Sequence, residues 1–277
     1  MKRVDFHTHT TCSDGVMTPQ ALAKDVVEAD IRMWAITDHD DIRGYDEVQG
    51  LLPDGFEIFS GAEFSTGYAG KDIHVLGYGF DRSYAPLAEY ISFFKEKRRN
   101  RFVDMLKRCA EEGIDLPVKT IEDVWARYGD GAALGRPHLA LLLIEAGYAD
   151  TIAKAFSDYL KPGGPLYVPK FKTSPEEVVS LVHDAGGLVV LAHPVLINDD
   201  AIAEELLKLP FDGLEVYHSK QNEEDRARYL AMANRHGLLA SGGSDYHGTP
   251  GRYPVRIGEY ELYEDVVTPF IQALKSL

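Results

Sequence analysis

Short apolar runs alternate with stretches of helical periodicity along this chain. Residues 4–7, 34–37, 57–63, 73–79, 188–193, 214–217 and 238–241 read as strands. Most are continuous apolar runs, the pattern of strands covered on both faces. Thr18-Pro19 supplies an N-cap and a proline at the first helical position for a helix running to about Asp30. Thr173-Ser174-Pro175-Glu176 opens a second helix with acid in its first turn, and Gly186-Gly187 ends it. Residues 221–236 form a third, closed by Gly237. This strand–helix order predicts a parallel sheet, open or closed into a barrel.

One segment breaks the rhythm. Between residues 83 and 169 no strand pattern occurs, and helical stretches fall near 85–112, 121–128, 137–146 and 152–160. That is too long for an ordinary connection. The expected organisation is a barrel from residues 1–82 and 170–277, interrupted by a helical insertion at 83–169. The insertion leaves through the turn-rich Lys161-Pro162-Gly163-Gly164-Pro165, and a cap over the barrel mouth is a natural use for it.

Composition narrows the function. Among 277 residues, 29 Lys+Arg against 44 Asp+Glu leave a net charge of −15, which disfavours duplex DNA as a partner. An acidic protein still binds an anionic substrate where metal ions and a few basic residues line the site. No long apolar stretch predicts a membrane span, and the first residues lack an apolar signal core. Two cysteines, Cys12 and Cys109, make no disulfide framework, so a cytoplasmic location is expected.

The histidines carry the chemistry. His7 and His9 close the first strand, and alternate residues of an extended chain point to one side. Asp14 follows in Cys12-Ser13-Asp14-Gly15. His39 sits past the second strand, Glu63 at the end of the third, His74 in the fourth and His193 at the end of the fifth. Asp245 and His247 follow the seventh. A lone histidine is usually a core or surface residue. Nine such groups, mostly at strand ends, predict a cluster at one barrel face able to hold two or three divalent ions.

In order along the chain, Asp5-Phe6-His7-Thr8-His9-Thr10, Thr37-Asp38-His39-Asp40, Glu63, His74, Ala192-His193-Pro194 and Ser244-Asp245-Tyr246-His247 resemble the motifs of the PHP family. This is the polymerase-and-histidinol-phosphatase domain of the amidohydrolase-like metal enzymes. The resemblance implies an α/β fold, a distorted (β/α)7 TIM-like barrel, and three metal sites. His7, His9, Glu63 and Asp245 would hold one ion; Glu63, His74 and His193 a second; Asp14, His39 and His247 a third. Many members carry histidine where Asp14 stands. The ligand set puts Mn²⁺ first, then Fe²⁺ or Zn²⁺.

Such a site activates water at neutral pH and clamps phosphoryl oxygens, so phosphate-ester hydrolysis is expected. Asp40, His193 and Asp245 are the catalytic candidates. Asp40 or an unligated histidine would protonate the leaving alkoxide, although Asp38 and Asp40 as partners orienting His39 is the plainer reading.

Substrate contacts are sought in basic residues. Gly135-Arg136-Pro137-His138 opens a helix in the insertion, a good phosphate site or simply a cap. Lys170 leaves the insertion, either to return to the barrel mouth or to stand as a solvated lysine. Arg98 falls in the stripe Ile91, Phe94, Arg98, Phe102, Met105, Cys109, so its head either turns inward to an anion or snorkels over the apolar face. Tyr217, His218 and Tyr246 lie at or near strand ends, to contact substrate or to pack. His183 and His236 are not expected as ligands.

The insertion and its Gly135–His138 motif resemble the 3′,5′-nucleoside bisphosphate phosphatase branch, some of whose members trim 5′-phosphorylated oligonucleotides. The resemblance implies conversion of adenosine 3′,5′-bisphosphate to AMP and phosphate, with the 5′-phosphate held by Arg136, His138 and Lys170. The rivals are a 5′-to-3′ exonuclease on short 5′-phosphorylated RNA and another small-molecule phosphatase, such as one acting on histidinol phosphate. A noncatalytic metal-binding module is disfavoured by the complete ligand set.

Overall fold

Seven strands form one sheet in chain order: β1 (Arg3–Thr8), β2 (Ile31–Ile36), β3 (Glu57–Tyr68), β4 (Lys71–Tyr78), β5 (Leu188–Leu191), β6 (Gly213–His218) and β7 (Leu239–Gly243). The computed structural model describes residues 1–129 and 131–277. The sheet curls until its edges nearly meet. Just past β7, Asp245 N donates to His7 O at 2.9 Å, and His9 N donates to Tyr246 O at 2.8 Å. The result is the expected seven-stranded, TIM-like α/β barrel.

The sheet is not all parallel, and this corrects the sequence reading. β4 pairs antiparallel with both β3 and β5. β3 runs past Glu63 to Tyr68, then reverses through Ala69 and Gly70, whose φ values are 47° and 78°. Two successive positive φ values are the mark of a tight hairpin turn whose twist matches the strands. Ser65-Thr66-Gly67-Tyr68 carries too few apolar residues to announce a strand. Its partner, not its own pattern, holds it extended.

Around the barrel lie α1 (Pro19–Glu28), α2 (Arg43–Asp46), α3 (Ala85–Glu111), α4 (Ile121–Tyr128), α5 (Arg136–Glu145), α6 (Ile152–Ala155), α7 (Pro175–Asp184), α8 (Pro194–Ile197), α9 (Asp200–Leu206), α10 (Glu223–His236) and α11 (Thr268–Lys275). Caps set several starts. The Thr18 hydroxyl accepts from Ala21 N at 3.2 Å, and Ser174 and Glu177 cap α7 reciprocally. α6 widens into a π-helical turn at Phe156–Leu160. α11 is absent from the sequence reading; its Phe270 packs edge-on against Phe6 and Tyr78.

The C-terminal part of α3 and helices α4 to α6 have a core of their own, built on Phe102, Met105, Leu139, Leu143 and Leu160. α3 joins both cores: Leu87 and Ile91 pack with the barrel, Phe102 and Met105 with the inserted helices. No helix among the described residues is long and apolar enough to cross a membrane.

Candidate metal centre and active site

Glu63 lies at the centre of the site, fully buried in mid-strand rather than at a strand end. Its Oε1 lies 2.6 Å from His74 Nδ1 and 2.8 Å from His193 Nε2. Its Oε2 lies 3.1 Å from His39 Nδ1, 3.2 Å from His9 Nε2 and 3.3 Å from His7 Nε2. His74 also comes from mid-strand. Because β4 runs backwards, its N-terminal half lies at the face where the parallel strands end, and Ser65 pairs with His74 across the hairpin.

A second group surrounds Asp14. Its Oδ1 is 3.2 Å from His247 Nε2, 3.7 Å from His39 Nε2 and 3.9 Å from His9 Nδ1. His39 and His9 therefore present one ring nitrogen to each carboxylate. All nine side chains singled out from sequence lie in this contiguous cluster. Three sets have ligand atoms within 4.8 Å of one another: His7, His9, Glu63 and Asp245; His39, Glu63 and His74; and His9, Asp14, His39 and His247. The first equals the implied set. In the second His39 stands where His193 was expected, and His193 meets the same carboxylate.

The donor set fits divalent cations. His7 Nε2, His9 Nε2, His39 Nδ1, His193 Nδ1, Glu63 Oε2 and Asp14 Oδ1 are buried without a hydrogen-bond partner. Each such atom costs about 1–3 kcal/mol unless something pairs it. Three of the orphan nitrogens, on His7, His9 and His39, converge on Glu63 Oε2 within 3.3 Å, nitrogen and oxygen together, as cation ligands do.

The surrounding residues fix the protonation. Burial pushes Glu63 up, but His39, His74 and His7 outweigh it and hold the carboxyl well below its usual range. Asp14 behaves alike through His247 and His39. Burial keeps His39 and His247 below their ordinary values, neutral and ready to ligate. For His9, burial is overcome by Asp245 and Glu63, which raise it to about 9. His7 is likewise raised, by Glu215 and Glu63 against burial.

Some supporting residues escaped the sequence reading. Glu215 contacts His7 Nδ1 at 2.8 Å and accepts from His193 N at 2.6 Å. Its signal was a lone carboxylate inside the apolar run Leu214-Glu215-Val216. On the second oxygen of Asp245, Arg252 Nη2 donates at 2.5 Å and His218 Nε2 sits at 3.4 Å. Asp40, His193 and Asp245 have positive φ values of 50°, 23° and 55°. Such backbone strain costs about 1–3 kcal/mol per residue and gathers at functional sites.

A cavity of about 250 Å³ opens over the cluster. Asp14, His39, His74 and His193 line it together with four basic residues, Arg98, Arg101, Arg136 and Lys170. The Arg98 head turns inward, donating to Asp40 Oδ2 at 2.7 Å and Ser65 Oγ at 2.8 Å. Lys170 Nζ lies 3.3 Å from Asp72 Oδ1 and 3.4 Å from His74 Nε2, and burial lowers it to about 8. Arg136 approaches Asp72 Oδ2 at 3.9 Å. Arg101, unremarked in the basic run of its helix, is buried and donates to Val168 O at 2.7 Å.

Other candidates lie apart from this cavity. His138 is buried, and its Nδ1 accepts from Gly135 N at 3.0 Å, capping its own helix. Tyr217 packs, partly buried, against the apolar residues of two core clusters. Neither Asp38 nor Asp40 orients the His39 ring: Asp38 accepts from Thr10 N at 2.7 Å and Ser13 Oγ at 2.5 Å, and Asp40 takes Ser65 N and Arg98.

Residues 5–173 match the PHP domain model. The chain is 33% identical over 254 residues to the 5′-3′ exoribonuclease Rnm of Escherichia coli, covering 88% of this chain and 84% of that protein. It is 29% identical to a 3′,5′-nucleoside bisphosphate phosphatase of Chromobacterium violaceum, covering 100% of this chain and 98% of that one. A Bifidobacterium adolescentis crystal structure, described as a candidate metal-dependent phosphoesterase, superposes with a TM-score of 0.82 at 32% identity over 97% of this chain and 95% of the other.

Proposed function

The chain belongs to the PHP-domain family and is a metal-dependent phosphoesterase, and from that premise we propose that it removes the 3′-phosphate of nucleoside 3′,5′-bisphosphates. One observation carries the proposal. A single cavity is lined both by candidate metal ligands and by a group of basic residues, with Lys170 Nζ 3.4 Å from His74 Nε2. A substrate with one phosphate at each end fits two anion-binding zones in one cavity.

Divalent ions at the cluster, with Mn²⁺ preferred and Fe²⁺ or Zn²⁺ as alternatives, would lower the pKa of water and neutralise phosphoryl charge. His7, His9, Asp14, His39, Glu63, His74, His193, Asp245 and His247 would hold them. Glu215 fixes the His7 ring by its Nδ1, leaving Nε2 toward Glu63. Arg252 keeps the second oxygen of Asp245 engaged, so its first stays turned to the histidines. Asp40 is committed to Arg98 and so serves as a positioning residue, holding that guanidinium over the cavity. Asp72 does the same for Lys170 and Arg136, which grip the 5′-phosphate together with Arg98.

The E. coli relative favours a second reading, a 5′-phosphate-gripping exonuclease on short RNA. It would use the same two zones. The test for the grip is Arg136→Ala. It should raise KM for adenosine 3′,5′-bisphosphate about tenfold while leaving KM for adenosine 3′-monophosphate unchanged. Equal shifts for both substrates would remove the wall from substrate binding.

A further inference from the structure

Beside the basic wall lies a groove of different chemistry. Phe171, which directly follows Lys170, is 48% exposed, and Phe93 on α3 is 42% exposed. Their ring centroids lie 5.2 Å apart at 82°, and Phe94 backs Phe171 at 5.5 Å. Behind Phe94, the Tyr90 ring stacks at 4.4 Å. The inner rings brace the outer two, which open to solvent. Lys97 Nζ lies 4.9 Å from the Phe93 centroid and 5.9 Å from that of Phe171. The groove runs into the main cavity, for Ser65, Arg98, Arg101 and Lys170 line both.

We infer that Phe171, flanked by Phe93, is the platform on which the substrate's nucleobase stacks while Lys170 and Arg98 hold the attached phosphate. The inference rests on the nucleotide reading above and deepens it. Phosphate and base of a nucleotide are one ribose apart, and the cation and the ring that would hold them are consecutive residues. Cationic side chains interleaved with braced aromatic rings suit a flat ring that carries an anion. A protein or lipid partner would need a broader apolar face than two rings bounded by Lys97, Arg98 and Lys170. Stacking is tolerant of base identity, so the platform predicts nucleotide binding without strict base choice.

The test is binding of AMP and of ribose 5-phosphate to Mn²⁺-loaded protein, read by calorimetry for the wild type, Phe171→Ala and Phe171→Tyr. The wild type should bind AMP about tenfold tighter than ribose 5-phosphate. Phe171→Ala should abolish that preference while leaving ribose 5-phosphate affinity unchanged, and Phe171→Tyr should keep it. An unchanged preference in Phe171→Ala, or equal affinity of the wild type for both ligands, overturns the platform alone. If neither ligand binds the wild type, the nucleotide reading falls and the platform with it. Because Phe171 is half exposed, its truncation leaves the core intact, which an unchanged Tm would verify.

Discussion

Glu63 touches five imidazoles, between 2.6 and 3.3 Å away, and no other carboxylate among the described residues is so placed. Replacing it with Gln keeps its shape and removes its charge. Glu63→Gln should lower bound metal and cut turnover more than about a hundredfold, with the fold retained by circular dichroism. His39→Ala and Asp245→Asn should do likewise; wild-type turnover in them would sink the metal assignment. At the wall, Lys170 loses its charge as pH rises through about 8. Its grip is therefore present below that pH and lost above it. KM for a bisphosphate should climb above pH 8 with kcat little changed, and Lys170→Arg should flatten that rise. A KM profile identical in both proteins would remove Lys170 from the grip. The clustered histidines and carboxylates were legible in sequence because each rides a short local motif at or beside a strand. Glu215 and Arg101 were not, since their partners lie far away in the chain and only folding brings them together; Arg252 reaches Asp245 from nearby in the chain but lies in no recognisable motif.

At the scale of elements, the reversed β4 changes how the site is assembled. The hairpin at Ala69-Gly70 sets the register that puts His74 beside Ser65, one pair from Phe64 and Val75. The strand was visible in sequence as an apolar run, but its direction was not. Direction is decided by connection length and twist, and the two-residue turn was hidden inside a presumed loop. The inserted helices behave as a second unit of packing, with a core separate from that of the barrel. This division of labour has a consequence. Leu139→Ala, in the buried core of the insertion, should lose about 2–5 kcal/mol of stability. Below its Tm the variant should keep wild-type metal content while KM for a bisphosphate rises. Loss of metal in equal measure would show that the wall and the metal nest are one cooperative unit.

For the whole molecule, folding assembles a buried nest of carboxylates and imidazoles that is complete only with cations. Asp14, Glu63 and Asp245 are held ionised, while His7 and His9 are raised, His9 to about 9, and so carry protons at neutral pH. Ligation requires neutral imidazoles, so metal must displace those protons. Mn²⁺ binding at pH 7 should release protons, and its affinity should fall as pH is lowered. Chelation should depress Tm as well as activity; a pH-independent affinity would contradict the charge assignment.

Under the proposed function one cavity holds two phosphates, the one to be cleaved at the metal nest and the other among the basic residues. The most direct test is to incubate Mn²⁺-loaded protein with adenosine 3′,5′-bisphosphate, then quantify phosphate and identify the remaining nucleotide. AMP and one equivalent of phosphate is the predicted result. Adenosine 3′-monophosphate, or no phosphate release from protein shown to contain metal, would contradict it.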